Sequence, residues 1–463
     1  MNPKGLSSKE TNLNNKDLCP ATTQMEAARA GCLTDALLAA AREDRLDPET
    51  LRTRVAQGTV VILASNRRPA RLAKAVGQGC RVKVNANLGT SPARVNLDEE
   101  LEKLALAKKA GAHTVMDLST GGDLDKIRRL LLEASDLPLG TVPIYQAVAE
   151  AASQGRPVEE LDPEEIFAVI ERQAEDGVDF MTVHCGVTLK ALERMRRQRR
   201  VTDIVSRGGA FLARWMLARG RENPLYADFD RLVAIARRYD LTLSLGDGLR
   251  PGSLADANDR AQMEELLTLG ELAAEARRAG VQVMIEGPGH VPLHQIETAI
   301  KIEKAVCNGA PFYVLGPLVT DAAPGYDHIT SAIGGAIAAY AGADFLCAVS
   351  PSEHLGLPTP SDVFLGVMAS RIAAHAADLA RGNPESWEQD RNISACRKAL
   401  DWEGQARFAL DPECVRTYRA EHPTTGGDPS TCSMCGDFCA LKVSPGLEEA
   451  RAAEPCPLGR TAG

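Results

Sequence analysis

Phe229-Asp-Arg-Leu-Val-Ala-Ile-Ala-Arg-Arg-Tyr-Asp-Leu241-Thr-Leu-Ser-Leu-Gly-Asp247-Gly-Leu-Arg250 carries the repeating unit of the whole chain. From Phe229 to Tyr239 apolar residues recur at intervals of three and four, the pattern of an amphipathic helix. Leu241-Thr-Leu-Ser-Leu-Gly246 is then an apolar run of strand length, left through the charged residues Asp247 and Arg250.

The same rhythm extends in both directions from about Leu101. Eight runs can be read as strands: His113-Thr-Val-Met-Asp117, Gly140-Thr-Val-Pro-Ile144, Asp179-Phe-Met-Thr-Val-His184, Thr202-Asp-Ile-Val-Ser206, Leu241 to Gly246, Val281-Gln-Val-Met-Ile-Glu286, Phe312-Tyr-Val-Leu-Gly316 and Asp344-Phe-Leu-Cys-Ala-Val349. Helical patterns lie between them, among them Leu124 to Ala134, Pro163 to Glu175, Gln262 to Ala279 and Ser331 to Ala341. Apolar strands alternating with helices imply a parallel sheet covered on its outer side, and eight such units close into a barrel. The expected fold is therefore α/β, a (β/α)₈ barrel of TIM type, with an open doubly wound sheet as the alternative. The polar residues favour the barrel. Asp117, Tyr145, His184, Ser206, Asp247, Glu286 and the Ser350 to His354 loop each follow a run on its C-terminal side, and in a barrel that edge is the mouth that carries the site.

Around the barrel, residues 1–20 read as disordered, Thr23 to Val55 as helical, and Thr59 to Ala64 and Val82 to Val84 as short strands. The expected organisation is a small N-terminal α+β unit over residues 1–105 and the barrel over 106–360. Residues 361–463 then hold helices at Asp362 to Arg381 and Ser394 to Leu410, a tether at Gly426 to Thr431, and a cysteine-bearing, cluster-binding segment.

A net charge of −9 argues against general nucleic-acid affinity, although a small phosphorylated ligand needs only a local arginine or backbone amides. No apolar run approaches the roughly 18 residues of a membrane span, and Met1 to Asp17 lacks the apolar stretch of a signal peptide. The expectation is a cytoplasmic protein with no membrane partner. In such a chain twelve cysteines fit buried thiols and metal ligands better than disulfides.

Three of them, Cys432, Cys435 and Cys439, fall within eight residues, and Gly436 lets the backbone turn tightly there. Their spacing admits a 4Fe-4S cluster with one iron free for a small ligand, a closed structural zinc site completed by Cys456 or His422, or free thiols. Glu286-Gly-Pro-Gly-His290 brings Glu286 and His290 to the mouth, and His354 follows the last strand, so the two histidines can share a divalent metal. Asp247-Gly-Leu-Arg250 and Ser206-Arg-Gly-Gly209 offer forked guanidinium donors and an amide nest for phosphate or carboxylate. Asn85 to Ser91 reads as a polar loop after a strand.

Taken in order, these segments resemble the phosphomethylpyrimidine synthase (ThiC) family. The likeness rests on Val84-Asn-Ala-Asn87, Met116-Asp-Leu-Ser-Thr-Gly121, Gly140 to Gln146, Val183 to Thr188, Ser206 to Gly209, Ser244 to Gly252, Glu286 to Pro292, Phe312 to Pro317, Ala323 to His328 and Cys432-Ser-Met-Cys435, spanning about Thr23 to Cys439. The resemblance implies a radical S-adenosylmethionine lyase of thiamine biosynthesis. An electron from a 4Fe-4S cluster on Cys432, Cys435 and Cys439 cleaves S-adenosyl-L-methionine to methionine and a 5′-deoxyadenosyl radical. That radical starts the rearrangement of 5-aminoimidazole ribonucleotide (AIR) to 4-amino-5-hydroxymethyl-2-methylpyrimidine phosphate (HMP-P), with release of formate, CO and 5′-deoxyadenosine. It further implies a homodimer in which the cluster segment reaches the partner's site, and an electron donor such as flavodoxin or ferredoxin. Substrate-binding positions carry over to Asn87, Met116, Tyr145, His184, Ser206, Arg207, Gly208, Asp247, Gly248, Leu249, Arg250, Glu286 and Tyr313, and zinc positions to His290 and His354. Asp247 and Glu286 are the candidate proton carriers.

This chain departs from the family pattern in three places. Three residues separate Cys435 from Cys439, as in shorter prokaryotic members, where long family members have four; Ala348-Val349-Ser350 replaces a Tyr-Val-Thr, and Ala64-Ser-Asn-Arg67 departs from Pro-x-Asn. The close paralogue 5-hydroxybenzimidazole synthase, which takes the same substrate in anaerobic cobalamin lower-ligand synthesis, is the alternative within this chemistry. A non-catalytic zinc scaffold on a barrel is the alternative outside it.

Overall fold

Each barrel strand is short and buried over all or nearly all of its length, only Asn87, Glu286 and Leu315 being partly buried, as a parallel sheet covered by helices requires. The computed structural model describes residues 22–424 and 428–444. A two-stranded antiparallel sheet, β1 (Val60–Leu63) and β2 (Lys74–Gly77), precedes a closed parallel barrel. The barrel strands are β3 (Lys83–Leu88), β4 (Thr114–Asp117), β5 (Leu139–Thr141), β6 (Phe180–Val183), β7 (Thr242–Leu245), β8 (Val283–Gly287), β9 (Phe312–Leu315) and β10 (Phe345–Cys347). They follow one another in order around the barrel, and β10 closes onto β3 with Phe345 opposite Lys83 and Cys347 opposite Asn85.

The N-terminal helices are α1 (Gln24–Arg29), α2 (Asp35–Glu43) and α3 (Pro48–Gln57). On the barrel, β3 is followed by α4 (Leu97–Ala110), β4 by α5 (Leu124–Ala134), and β5 by α6 (Pro143–Ser153) and α7 (Pro163–Asp176). The long β6–β7 connection holds α8 (Leu189–Gln198), α9 (Arg207–Arg219), α10 (Pro224–Ala227) and α11 (Phe229–Tyr239). Then come α12 (Arg260–Arg278), α13 (Ile296–Val306), α14 (Asp327–Ala341) and α15 (Pro360–Ala380), one after each remaining strand.

The barrel has the expected number of strands, but one of the eight is not the expected one. Thr202 to Ser206 is a loop, not a strand. Its backbone donors turn to a side chain: the amides of Val201 and Thr202 bond the Asp256 carboxylate at 2.8 and 3.0 Å, and Asp203 takes a φ of +50°. The eighth strand is instead β3, which lies within the expected N-terminal unit and includes Asn85 to Leu88, where the sequence predicts a loop. Its polar residues disguised it. Lys83 is fully buried, with its Nζ on both Asp44 carboxylate oxygens at 2.9 and 2.6 Å, and Asn85 and Asn87 bond each other inside the barrel at 2.9 Å.

The N-terminal elements cap the end of the barrel opposite the mouth. Thr23 Oγ1 donates to Gly280 O at 2.5 Å, Ile62 N to Gln282 Oε1 at 2.6 Å and Ser65 N to Asp179 Oδ1 at 2.9 Å, and all three acceptors lie just before barrel strands. Cys32 in this unit is disulfide-bonded, contrary to the expectation of buried thiols and metal ligands rather than disulfides, whereas Cys80, Cys185, Cys307 and Cys347 are buried free thiols. Among the described residues one helix, α15, is long and apolar enough to cross a membrane by length and composition, although Asp362, Ser370, Arg371 and Asp378 interrupt its apolar sequence and Val363, Val367, Ala373, Ala374 and Ala377 are buried within the fold.

The C-terminal helices are α16 (Pro384–Lys398), α17 (Trp402–Phe408) and α18 (Pro412–Glu421). The continuous helix expected over Ser394 to Leu410 is broken at Leu400, whose φ is +55°. Residues 1–20 and part of the expected tether lie outside the described residues. Asp428 to Thr431 lies against α17 and α18: Trp402 Nε1 donates to Ser430 O at 2.8 Å and Arg419 Nη1 to Thr431 O at 3.2 Å.

Candidate active site

The strand ends and the loops after them line a cavity of about 650 Å³ at the barrel mouth, which includes Asn87, Met116, Tyr145, His184, Arg207, Asp247, Arg250, Glu286, His290, Tyr313 and His354. Most residues proposed from the sequence are therefore neighbours. Ser206, Gly208, Gly248 and Leu249 do not line the cavity but shape the backbone beneath it.

The base of α9 explains how. Ser206 is its N-cap and accepts the Gly209 amide at 3.2 Å, which leaves the N-terminal end of this helix beside the mouth. Gly208 lies against the His184 ring, and Gly209 lies against the Gly248 carbonyl so closely that a Cβ would sit 2.0 Å from that oxygen. Three segments distant in sequence thus meet backbone to backbone. Arg207 points its guanidinium over the Tyr145 ring, 4.9 Å from the centroid, and Phe211 packs edge-on to the same ring.

Asp247 and Arg250 form an ion pair across one turn at 3.1 Å. The second carboxylate oxygen, Asp247 Oδ2, is buried without a partner, as is His184 Nδ1. Burial raises the Asp247 carboxyl well above the ordinary range, the neighbouring Glu286 raises it further, and Arg250 acts against both. Glu286 is raised as well, chiefly by burial, while Thr182 Oγ1 and Ser244 Oγ donate to its Oε1 at 2.5 and 2.8 Å and favour the ionised form. Burial, with help from Arg250, lowers His184 to about 3, so it stays neutral. Behind this layer Glu265, whose carboxyl burial raises strongly, accepts the Leu249 amide at 2.9 Å and fixes the Asp247 to Arg250 loop from below.

His290 and His354 face each other with ring centroids 5.3 Å apart. Each ring has its Nδ1 on a carboxylate, His290 on Asp321 at 2.7 Å and His354 on Asp327 at 2.9 Å. That leaves both Nε2 atoms for a metal, with carboxylates orienting the rings, so this pair fits a divalent ion such as zinc. Asp321 and Asp327 were not singled out in the sequence. Asp327 belongs to the Gly-Tyr-Asp-His segment noted there, but its bond to a histidine 27 residues away is purely tertiary.

The cysteines are elsewhere. Cys432 and Cys435 are hydrogen-bonded through their side chains, and the backbone amides of Cys435 and Met434 lower the Cys432 thiol, which fits thiolate ligation. Cys439 is buried beside them and Cys435 is exposed. Three soft donors, one already favoured as thiolate, suit an iron–sulfur cluster. Among the described residues no group of three His, Cys, Asp or Glu side chains is drawn together as a metal centre by geometry alone. Among the described residues, none beyond Pro358 lines the mouth.

Comparison with known proteins matches residues 23–445 to the radical SAM ThiC family. The chain is 58% identical to a phosphomethylpyrimidine synthase of Moorella thermoacetica over 421 residues, covering 91% of this chain and 97% of that protein. It is 56% identical to that of Desulforamulus reducens with the same coverage, and 54% identical to that of Geobacter metallireducens over 435 residues, covering 94% and 99%.

Proposed function

The chain belongs to the radical SAM ThiC family, and on that basis we propose that it is a lyase converting AIR to HMP-P in thiamine biosynthesis. The observation that carries the reading for this chain's own residues is the mouth itself. It offers guanidinium groups and a helix N-terminus for a phosphate, next to two carboxyls, Asp247 and Glu286, that burial raises above the ordinary carboxylate range. The names of the relatives favour the pyrimidine product over the benzimidazole alternative.

When bound, the 4Fe-4S cluster supplies the electron that cleaves S-adenosyl-L-methionine, the family's radical source. Cys432, Cys435 and Cys439 hold it. Arg207, Arg250 and the first amides of α9 clamp the substrate phosphate, with Tyr145 keeping the Arg207 guanidinium in plane. Asn87, Met116, His184 and Tyr313 orient the imidazole and ribose, His184 as a neutral ring. Asp247 and Glu286 carry the proton transfers: burial raises both carboxyls, Arg250 opposes this at Asp247, and the Thr182 and Ser244 hydroxyls favour the ionised form of Glu286. His290 and His354 would hold a divalent ion such as zinc, with Asp321 and Asp327 orienting their rings. The family resemblance supports a flavodoxin- or ferredoxin-type electron donor and a homodimeric active form.

The test is anaerobic turnover of the reconstituted protein with AIR, S-adenosyl-L-methionine and a reductant, read by mass spectrometry. A phosphorylated pyrimidine with 5′-deoxyadenosine is the expected outcome, and a phosphate-free benzimidazole would assign the paralogue's reaction. Iron analysis should give about four irons per chain. Cys435→Ala should abolish deoxyadenosine formation. A colourless zinc protein that leaves S-adenosyl-L-methionine intact would replace the enzyme with a scaffold.

A further inference from the structure

We infer that Glu265 and Glu303 form an internal proton store for Asp247, joined to it by water held in a small chamber behind the barrel mouth. The inference rests on the proposed proton transfer by Asp247 and adds the source that reloads it.

The chamber lies between the barrel wall and helices α12 and α13. Its volume is about 30 Å³, room for about one or two waters. Asp247, Arg250 and Glu286 line it from the mouth side and line the mouth cavity as well, so they are the wall between the two. Glu265 faces the chamber from α12 and Glu303 from α13.

A buried carboxyl oxygen without a donor is costly, and this chamber gathers several. Asp247 Oδ2, Glu265 Oε1 and both oxygens of Glu303 are buried with no N–H or O–H donor on them. Glu265 is 2% exposed and Glu303 not at all, so bulk solvent does not satisfy them. Water in the chamber supplies the missing donors, and in doing so it links the carboxyls into one network. A metal ion is a poor occupant. Arg250 lines the same chamber, and among the described residues no three His, Cys, Asp or Glu side chains are placed to share an ion.

The charges around the chamber favour the protonated acids. Burial raises the Glu265 carboxyl well above the ordinary range and Asp247 raises it further, with Arg200 and Arg250 acting against them. Arg200 is itself engaged, with Nε and Nη2 on the Asp259 carboxylate at 2.7 Å each. Burial raises Glu303 to about 8, helped by Asp344 and opposed by Lys304, Arg277 and the Cys307 thiol. Lys304 in turn is drawn to Asp344, at 2.5 Å.

Such a store answers a need of the proposed reaction. Radical chemistry requires solvent to be kept from the mouth while the substrate rearranges, and a donor there then has no bulk water to reload it. The chamber closes the balance. Asp247, ionised once its proton has gone to the substrate, takes a proton from the chamber water; that water takes the proton of the Glu265 carboxyl, which is left ionised. Glu303 reloads Glu265 through the same water and is ionised in its turn. Once product has left, solvent in the mouth returns both protons through Asp247.

Glu265 also accepts the Leu249 amide through Oε2, at 2.9 Å, and a glutamine can replace that bond but not the proton. Anaerobic single turnover of reconstituted Glu265→Gln, following 5′-deoxyadenosine and HMP-P together, therefore separates the two roles. AIR affinity and deoxyadenosine formation should match wild type, while HMP-P per deoxyadenosine falls at least about tenfold. The ratio should recover as pH falls, because Asp247 then draws its proton from solvent. Glu303→Gln, which leaves the Leu249 bond untouched, should lower the ratio by a smaller factor, and it decides the matter if Glu265→Gln does not fold. A wild-type ratio in either folded variant overturns the inference. So does a parallel loss of AIR affinity, deoxyadenosine and HMP-P, the mark of a purely structural residue. The proposed function fails separately: a wild-type protein that leaves S-adenosyl-L-methionine intact overturns it and the store with it. If wild type makes the benzimidazole, the same ratio read on that product decides for or against the store.

Discussion

The imidazole of His184 fills the space that a side chain at residue 208 would need: a Cβ built on Gly208 lies 2.3 Å from His184 Cε1. The first turn of α9, which carries Arg207, is thus seated directly on a ring from the end of β6. The proposed phosphate clamp and the ring proposed to orient the substrate are therefore in direct contact.

Gly208→Ala should disturb that contact without unfolding the barrel. The added methyl displaces either the ring or the helix start, so AIR affinity should fall about tenfold, equivalent to about 1.4 kcal/mol. Calorimetric titration of the cluster-free protein with AIR checks this independently of turnover. A variant that binds AIR as tightly as wild type would show that the contact is slack.

Thr182→Val removes one of the two hydroxyl donors on Glu286 Oε1. Those donors favour the ionised carboxylate, and losing one raises a carboxyl that burial already holds high. The acidic limb of the pH–rate profile should therefore move to higher pH. Ser244→Ala should do the same, and Thr182→Ser should restore the wild-type profile.

Asp321→Asn and Asp327→Asn keep the shape of the carboxylates that orient His290 and His354 but remove their charge. Zinc affinity, measured by competition with a chromogenic chelator, should fall by roughly 10- to 100-fold for each. Thermal stability of the metal-free protein should change little.

Asp240 ties the N-terminal unit to the barrel by accepting the Gln24 amide at 3.0 Å, and burial raises its carboxyl to about 7. In the unfolded chain an aspartate ionises near pH 4. Between these values the folded state holds a proton that the unfolded state has released, so stability falls as pH rises from about 4 to about 7 and is level above. Asp240→Asn cancels that dependence and suits the left-handed backbone here, φ +50°. At pH 8 the variant should be more stable than wild type by roughly 2 kcal/mol, an advantage that disappears near pH 4.5, as read by urea denaturation.

What could be read from the sequence was what periodicity and strand-end chemistry encode. His184, Asp247 and Glu286 follow apolar runs and were found by that position alone. β3 was missed because a lysine and two asparagines interrupt its apolar pattern, and their partners, Asp44 among them, are distant in sequence. Thr202 to Ser206 looked like a strand because nothing local reveals that Asp256 captures its amides. The residues that support the site, Thr182, Ser244, Glu265, Asp321 and Asp327, were invisible for the same reason. Each is an ordinary polar residue until the fold supplies its partner.

The closure of β10 onto β3 also sets a timetable for biosynthesis. Asn87 and its partner Cys347 lie 260 residues apart, so a ribosome has released most of the chain before β3 meets its last neighbour. Through that interval β3 and the newest strand are open edges of a growing parallel sheet, the geometry most prone to pairing with another chain. The N-terminal cap is made first, yet its partners Asp179, Gly280 and Gln282 stand just before β6 and β8, so it can dock only after those strands have been synthesised.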